Sequence, residues 1–293
     1  MKKLIILFVL ALIMAGPAKA QIEQSLQDYA EANARGYLQP LLDGTAASMN
    51  RGWYQTAKVP SFGLRLRVGL VAMLAPVLDS DKTFEAETQP PFYPQQTVEA
   101  STVVGPTDAT YVTGYGGTQY SMPGGYDLES TGFFVPQLTL GTVLGTEASV
   151  RFISVDFEDS YIENLTVTGF GVRHSLSQYF LLLPVDVTLG GFWQTLSINE
   201  DLLEFSTFHV GVQAGRQLGM LELYGGVGYD QSSFDIKYVS DPGTDETISF
   251  SMDGESGLQY TVGLRFDFKV MHLNADLSFG MRPIYTAGLF VGL

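Results

Sequence analysis

Charged side chains on predicted strands are the groups in this sequence best suited to chemistry. The inferred strand directions bring four arginines and four carboxylates to one level of the fold. In a confined, poorly hydrated space an isolated charge is costly, so these groups must pair. The pattern predicts a structural gate first and a ring that binds solutes second. Its members are Arg65, Arg67, Arg151 and Arg265 with Glu147, Asp186, Glu222 and Asp267.

A second set of inward positions is mainly apolar and lies above the charges. Such a lining suits an apolar or amphipathic small molecule, although small barrels also fill their interiors with side chains alone. These predicted ligand-lining residues are Val71, Met73, Phe192, Phe205, Tyr224 and Phe290.

Catalytic and metal-binding patterns are weak. The three histidines, His174, His209 and His272, fall on three different predicted strands, and the chain has no cysteine. Acidic residues cluster in polar connections without the regular spacing of a calcium loop. We therefore expect no enzyme, no cofactor and no metal site.

Strands must position these side chains, because apolar residues alternate with polar or small ones over stretches of about ten residues. The clearest example runs from Leu258 to Phe268. Ten strands follow from this pattern, and the stretch 75–132 has room for another hairpin near 110–121. Tight turns alternate with longer polar connections, which is typical of an outer-membrane barrel. The predicted fold is all-β, a transmembrane antiparallel β-barrel of 10 to 14 strands with an N-terminal helical plug.

A soluble β-sandwich is the alternative fold for alternating strands. Its apolar faces would point inward and its surface would be rich in charge. Only 16% of the residues are charged here, and mean hydropathy is positive. Large aromatic residues also fall near strand ends, as membrane interfaces require. The composition therefore favours the membrane barrel.

The N-terminus predicts that the protein is exported. A basic start, an apolar run over 4–14 and the triplet Ala18-Lys19-Ala20 are typical of a signal peptide covering 1–20. A net charge of −15 argues against binding nucleic acid, which requires clustered cations.

Residues 21–58 are predicted to form the plug, and 59–293 the barrel with 75–132 as a long extracellular connection. The composition of 22–43 predicts a helix that Pro40 kinks or ends. Two adjacent aromatics, Trp53 and Tyr54, are expected to lie in the barrel mouth.

Two segments resemble known families. The alternating C-terminal residues 285–293 resemble the signal that the barrel assembly machinery reads, with Leu293 where the commonest form has Phe. The entry Gly52-Trp53-Tyr54 through Lys58, together with 76–84, resembles an uncharacterised family of Gram-negative outer-membrane barrels. More distantly it is similar to long-chain fatty-acid transporter (FadL-like) barrels, in which an N-terminal segment plugs the lumen.

The expected function is to bind or pass small hydrophobic or amphipathic solutes across the bacterial outer membrane, with the plug on the periplasmic side. The alternative is a structural or surface-interaction barrel with a closed lumen and acidic extracellular loops. Expected partners are outer-membrane lipid and lipopolysaccharide, the barrel assembly machinery and a small hydrophobic ligand.

Overall fold

A computed structural model describes residues 31–156, 164–180, 183–199, 202–241 and 246–292. The predicted signal peptide, the first ten residues of the predicted plug and the acidic cluster at 158–163 lie outside the described residues.

The described chain is built mainly of antiparallel strands, with one helix, α1 (Glu31–Met49). Short 3-10 turns cover Asp79–Asp81, Tyr115–Gly117 and Ser177–Tyr179. The strands are β1 (Phe62–Pro76), β2 (Thr83–Glu87), β3 (Thr97–Ser101), β4 (Thr110–Thr113), β5 (Gln119–Met122), β6 (Ser130–Val143), β7 (Thr146–Asp156), β8 (Asn164–Ser175), β9 (Asp186–Ile198), β10 (Leu203–Leu218), β11 (Leu221–Asp241), β12 (Glu246–Asp253), β13 (Gly257–Phe268), β14 (Met271–Phe279) and β15 (Ile284–Gly292).

Ten of these strands close into a barrel in the order β10-β9-β8-β7-β6-β1-β15-β14-β13-β11, and β11 returns to pair with β10. The first and last strands are neighbours through the β1–β15 pairing. β12 is an extra strand on β11 beyond the closed wall. The predicted all-β barrel is therefore confirmed, at the lower end of the predicted range of strand number.

The two ends of the barrel differ. Tight turns join β6 to β7, β10 to β11 and β13 to β14, and we call this side the turn end. The first of these turns has Leu144 at φ 51° and Gly145 at φ 70°, the geometry that matches the twist of a hairpin. The longer connections lie at the opposite side, the loop end. One long connection, 176–185 between β8 and β9, also lies at the turn end.

The outer wall is apolar and the inner wall is largely polar. Along β13, the exposed side chains include Leu258, Tyr260, Val262 and Leu264. On the inner side, by contrast, charged side chains such as Arg67 of β1 are buried. This is the reverse of a soluble sandwich, and it is the arrangement that a barrel needs in lipid.

Helix α1 lies inside the barrel against β1 and β6, and its N-terminal half is at the loop end. The sequence predicted that Pro40 would kink or end the helix, but the described helix continues to Met49. Buried contacts of Leu38, Leu42 and Ala46 with the barrel offset the hydrogen bond that proline removes. No described helix has the length and apolarity to cross a membrane.

Small residues in 44–48 let the helix approach the wall. Gly44 packs so closely on Thr131 of β6 that a β-carbon there would overlap the Thr131 hydroxyl. A close helix–wall contact therefore explains the composition.

The connection 75–132 covers the loop end with two hairpins, β2–β3 and β4–β5. Asn33 of α1 exchanges two hydrogen bonds with the Glu87 backbone, at 2.7 and 3.0 Å. Val103 N–H donates to the Tyr37 carbonyl at 2.9 Å, and the Tyr37 hydroxyl donates to the Gly124 carbonyl at 3.0 Å. The hairpin expected near 110–121 thus exists, but it lies outside the barrel wall.

Closure of the wall by β1 and β15 can be tested with cysteines, since the chain has none. Ala72 and Ala287 are outward register partners across this seam. Ala72→Cys with Ala287→Cys should form a disulfide on mild oxidation, detected as altered gel migration and resistance to heat unfolding. Ala72→Cys with Ala275→Cys is the matched control, because Ala275 is one strand further on, roughly 10 Å away and beyond disulfide reach. Equal cross-linking of both pairs would contradict the order.

Candidate functional site

After α1 the chain continues through the lumen toward the turn end, and we call residues 50–58 the plug segment. Most of it is buried, with Trp53 only 1% exposed and Gln55 and Ala57 fully covered. At its far end the Lys58 ammonium lies 3.4 Å from Gln217, beside the β10–β11 turn. The plug segment therefore occupies the turn half of the lumen, and α1 occupies the loop half.

Trp53 and Tyr54 pack against a patch of glycines and one phenylalanine on the wall. Both rings lie 5.1 Å from Phe192, Trp53 stacked and Tyr54 edge-on. The Tyr54 hydroxyl donates to the Gly211 carbonyl at 2.7 Å. A β-carbon on Gly169 would lie 2.9 Å from the Trp53 ring, so glycine makes room for it. Both predicted plug aromatics thus lie within the lumen.

Glu147 is the centre of the main buried ion-pair cluster. Arg67 donates to both of its oxygens at 3.0 and 3.1 Å, and Arg65 approaches to 3.9 Å. Arg173 also pairs with Glu147 and donates to the Thr56 carbonyl at 2.6 Å. The sequence prediction missed Arg173, although it shares the inward parity of Gly169 and Gly171 along β8.

A second ion-pair group lies on β13 and β14. Arg265 donates to Asp267 at 2.7 Å, and His272 lies 2.6 Å from the same oxygen. Arg265 also donates to the Gln55 carbonyl at 3.3 Å. Arg265 therefore contacts the plug segment as well as its ion-pair partner Asp267.

Arg151 differs from the prediction, because within the described residues it has no carboxylate partner. Its guanidinium donates to Gln137 and Gln194 at 2.9 and 3.1 Å, and lies 3.8 Å from the centre of the Trp53 ring. The remaining acceptors are the carbonyls of Met49 and Arg51, at 3.3 and 2.9 Å. A cation that lacks an anion is thus stabilised by neutral groups, three of them on the entering chain.

Glu222 is an anion that has no described cation partner, as Arg151 is a cation that has no described carboxylate partner. Its carboxylate accepts from the Thr56 hydroxyl at 2.6 Å and from the Ala57 N–H at 2.7 Å. Arg265 is its register partner, yet their side chains form no ion pair in the described structure. The described partners of Glu222 are therefore groups of the plug segment and not an arginine.

Asp186 was predicted to belong to the charge cluster, but it lies outside it. It is half-buried at the turn-end mouth, lining an open pocket of about 790 Å³ with Lys58, Arg216 and Gln217. β9 begins at the mouth, after the long 176–185 connection. The sequence pattern does not fix how far along the barrel axis this strand starts. Asp186 shares the inward parity of Thr188 and Phe192 on β9, so its predicted face agrees with the structure and only its predicted level differs.

A third buried charge group was missed by the sequence prediction. Asp230 pairs with Arg51 of the plug segment, and its other oxygen lies 2.5 Å from His209 Nδ1. The His209 ring in turn lies 5.8 Å from Tyr54. Inward parity along β11 was the available signal for Asp230.

The six predicted lining residues all point inward and are buried. Val71, Met73, Phe205 and Phe290 belong to one apolar cluster with Leu42 and Met49 of α1. Phe192 packs on the plug aromatics, and Tyr224 donates to Asp276 at 3.0 Å. The entering chain therefore packs against five of the six positions, all except Tyr224.

Arg282 fastens the loop end. It donates to Asp81 at 2.7 and 3.1 Å and to Glu255 at 2.9 and 3.3 Å, which joins three connections. Burial lowers the pKa of Arg282, but the hydrogen bonds that it donates to both carboxylates outweigh burial and raise this pKa above its ordinary value. Nearby, burial raises the pKa of Asp43 on α1, against hydrogen bonds from Gln39 and the Glu255 backbone that lower it.

Fold and site together define a transmembrane β-barrel whose lumen is filled by its own N-terminal chain. The chain belongs to the family described as "Family of unknown function (DUF6588)", whose model matches residues 1–293. A comparison with curated proteins gives no match.

Solved structures similar to this chain include three outer-membrane proteins. The trimeric OmpT of Vibrio cholerae is 9% identical over 79% of this chain and 99% of that chain, with a TM-score of 0.30. Ail of Yersinia pestis, in complex with a heparin analogue, is 12% identical over 78% and 94%, with a TM-score of 0.24. The toluene transporter TodX of P. putida is 11% identical over 79% and 67%, with a TM-score of 0.25. The expected distant similarity to FadL-like barrels stays a prediction.

The Glu147 cluster yields a stability prediction. Glu147→Gln leaves Arg67 and Arg173 buried without their anion, so the free energy of unfolding should fall by about 3–5 kcal/mol. Urea unfolding in lipid vesicles, followed by tryptophan fluorescence, measures this change.

Asp186→Asn is the matched control, because the same chemical change there breaks no described ion pair. It should alter the free energy of unfolding by less than about 0.5 kcal/mol. Equal effects of the two substitutions would show that the Glu147 contacts do not stabilise the barrel.

Proposed function

We propose that this protein is a gated outer-membrane β-barrel that passes small hydrophobic or amphipathic solutes, with the plug segment as its gate. The observation that carries this proposal is how the plug segment is held. Arg151 and Glu222 on the wall have plug-chain groups where ion-pair partners would be expected. Water or a polar solute group can replace such hydrogen bonds, whereas a tightly packed apolar core offers no equivalent exchange.

The composition of the lumen supports an amphipathic solute. Its loop half is lined by apolar side chains such as Met73 and Phe205, and its turn half by charged groups such as Arg67 and Arg173. A solute with an apolar body and a polar head matches this gradient once the chain inside is displaced. Such a pocket relies on apolar contact for affinity and on few polar groups for orientation.

The proposed location is the outer membrane, with the turn end in the periplasm and the loop end outside. This orientation follows from the usual layout of short periplasmic and long extracellular connections. It puts the plug segment on the periplasmic side, next to the turns. Lipid and lipopolysaccharide would surround the apolar wall, and β15 would present the C-terminal signal to the barrel assembly machinery.

A structural or surface-interaction barrel is the second candidate, and the loop end favours it. Arg282 and its two carboxylates tie three connections together, while two hairpins cover α1. A permanently closed lumen under such a cover would pass nothing. Conductance separates the two candidates.

Location is the first test of this proposal. After cell fractionation the mature chain should appear with the outer membrane, require detergent for extraction and migrate faster on gels before heating than after. The reason is the continuous apolar outer wall, which needs lipid or detergent. Recovery of the native chain from the soluble periplasm would contradict the proposed location.

The gate is tested by weakening Glu222. In Glu222→Gln the amide group can accept only through its oxygen, and the charge-assisted contact with Thr56 and Ala57 is lost. Losing about 1.5–3 kcal/mol should raise the open-to-closed ratio roughly tenfold or more in planar-bilayer recordings. Glu204→Gln, an exposed change of the same chemistry, should leave the recordings unchanged.

A tether provides the converse test. A β-carbon on Gly215 would lie 2.8 Å from the Ala57 β-carbon, so Ala57→Cys with Gly215→Cys should bond the plug segment to β10. Oxidation should abolish the openings of the Glu222→Gln variant, and a reductant should restore them. If neither Glu222→Gln nor the tether alters conductance, the plug segment is not a gate and the closed barrel is favoured.

A further inference from the structure

The hairpins at the loop end carry exposed aromatic rings that the proposed gate does not use. Tyr93, in the β2–β3 connection, and Tyr115, in the β4–β5 connection, are 68% and 74% exposed. Their rings stack with centroids 5.9 Å apart at an interplanar angle of 24°. Tyr111, on the exposed face of β4, is 66% exposed. We call these three residues the tyrosine tip.

The tyrosine tip is held in place by its own backbone. Tyr115 N–H donates to the Tyr93 carbonyl at 3.0 Å, which joins the two hairpins. Beneath it, the rings of Phe92 and Tyr120 lie 5.5 Å apart. Gly114 N–H donates to the Thr118 carbonyl at 2.7 Å and closes the turn. The exposed rings are therefore preorganised, which reduces the entropy cost of binding.

The surroundings of the tyrosine tip are uncharged. Residues 88–98 and 109–126 contain no Asp, Glu, Lys, Arg or His, although charged residues make up 16% of the chain. Thr113 and Gln119, register partners on the same hairpin, are exposed beside the rings. A strongly acidic protein thus has uncharged sequence on both sides of these rings.

The type of exposed aromatic residue restricts the ligand. Between 77 and 129, all of it described, every exposed large apolar side chain is a tyrosine. Protein interfaces usually combine aromatic anchors with Met and Arg, and no exposed methionine or arginine accompanies these tyrosines. The negative faces of the rings attract polarised C–H groups. The neighbouring hydroxyl and amide groups can donate to and accept from many hydroxyls.

From this combination we infer that the tyrosine tip binds a neutral saccharide. Sugar rings present C–H groups on one face and hydroxyls around the edge, and both match this surface. Charged polysaccharides find no ion-pair partner in these stretches. This inference goes beyond the gate, because it concerns the outer surface of the hairpins and not the lumen.

The test uses the full chain in detergent micelles with four neutral probes: maltoheptaose, cellohexaose, chitohexaose and mannohexaose. Saturation-transfer NMR should show contact with at least one of them, and titration calorimetry should give its Kd. Tyr93→Ala and Tyr115→Ala should each raise that Kd about fivefold or more, as expected for losing one ring contact. Tyr93→Phe keeps the ring and should stay within about twofold.

Tyr179→Ala is the matched control, because this tyrosine is 65% exposed at the opposite end of the barrel. It should leave the Kd unchanged. Heat-modifiable migration of each variant verifies that the barrel is folded. Tyr115→Phe, which keeps the ring, should also stay within about twofold. Contact with none of the four probes, stronger binding of heparin than of any neutral probe, or equal effects of Tyr93→Ala and Tyr179→Ala would overturn the inference. None of these outcomes depends on conductance. The saccharide inference can therefore be wrong while the proposed gate is right, and the reverse.

Discussion

Charged side chains that face a closed lumen need partners other than bulk water, and the rest of the structure depends on this constraint. The wall satisfies part of it internally, through Glu147 with Arg67 and Arg173. For Arg151 and Glu222 the entering chain supplies the missing partners. The entering chain thus fills the lumen and also supplies hydrogen-bond partners for charged side chains of the wall.

The same constraint explains why one stretch of the entering chain is helical and the next is irregular. A helix satisfies its own backbone groups, so α1 can lie against apolar side chains such as Met73 and Phe205. An irregular segment leaves many of its N–H and C=O groups available to other partners. Residues 50–58 therefore suit the charged half of the lumen, where the carbonyls of Arg51, Gln55 and Thr56 accept from arginines. Secondary structure changes where the chemistry of the wall changes.

Alternation along the strands was enough to predict the barrel, its apolar exterior and the inward parity of most site residues. It did not predict height, because height depends on the stagger between strands and on where each strand begins. Asp186 was placed wrongly since its strand starts after a long turn-end connection, and Arg173 was missed on the same side of the barrel. The partners of Arg151 and those of Glu222 lie on the entering chain. Predicting them would have required the path of that chain through the lumen, which cannot be read from the local sequence. Pro40 does not end α1, because contacts with the wall, not propensity, determine how far this helix extends.

The route of the chain has a consequence for how this molecule is made. Residues 31–58 enter at the loop end and leave at the turn end, where β1 begins, while β1 also forms the closing seam with β15. Once that seam has zipped, the ring encircles its own upstream polypeptide. Either the seam closes around the seated segment, or the segment enters the finished ring with its upstream end leading. In both cases α1 reaches its position only by way of the ring that β1 and β15 close, so assembly of the wall and of its filling are topologically linked.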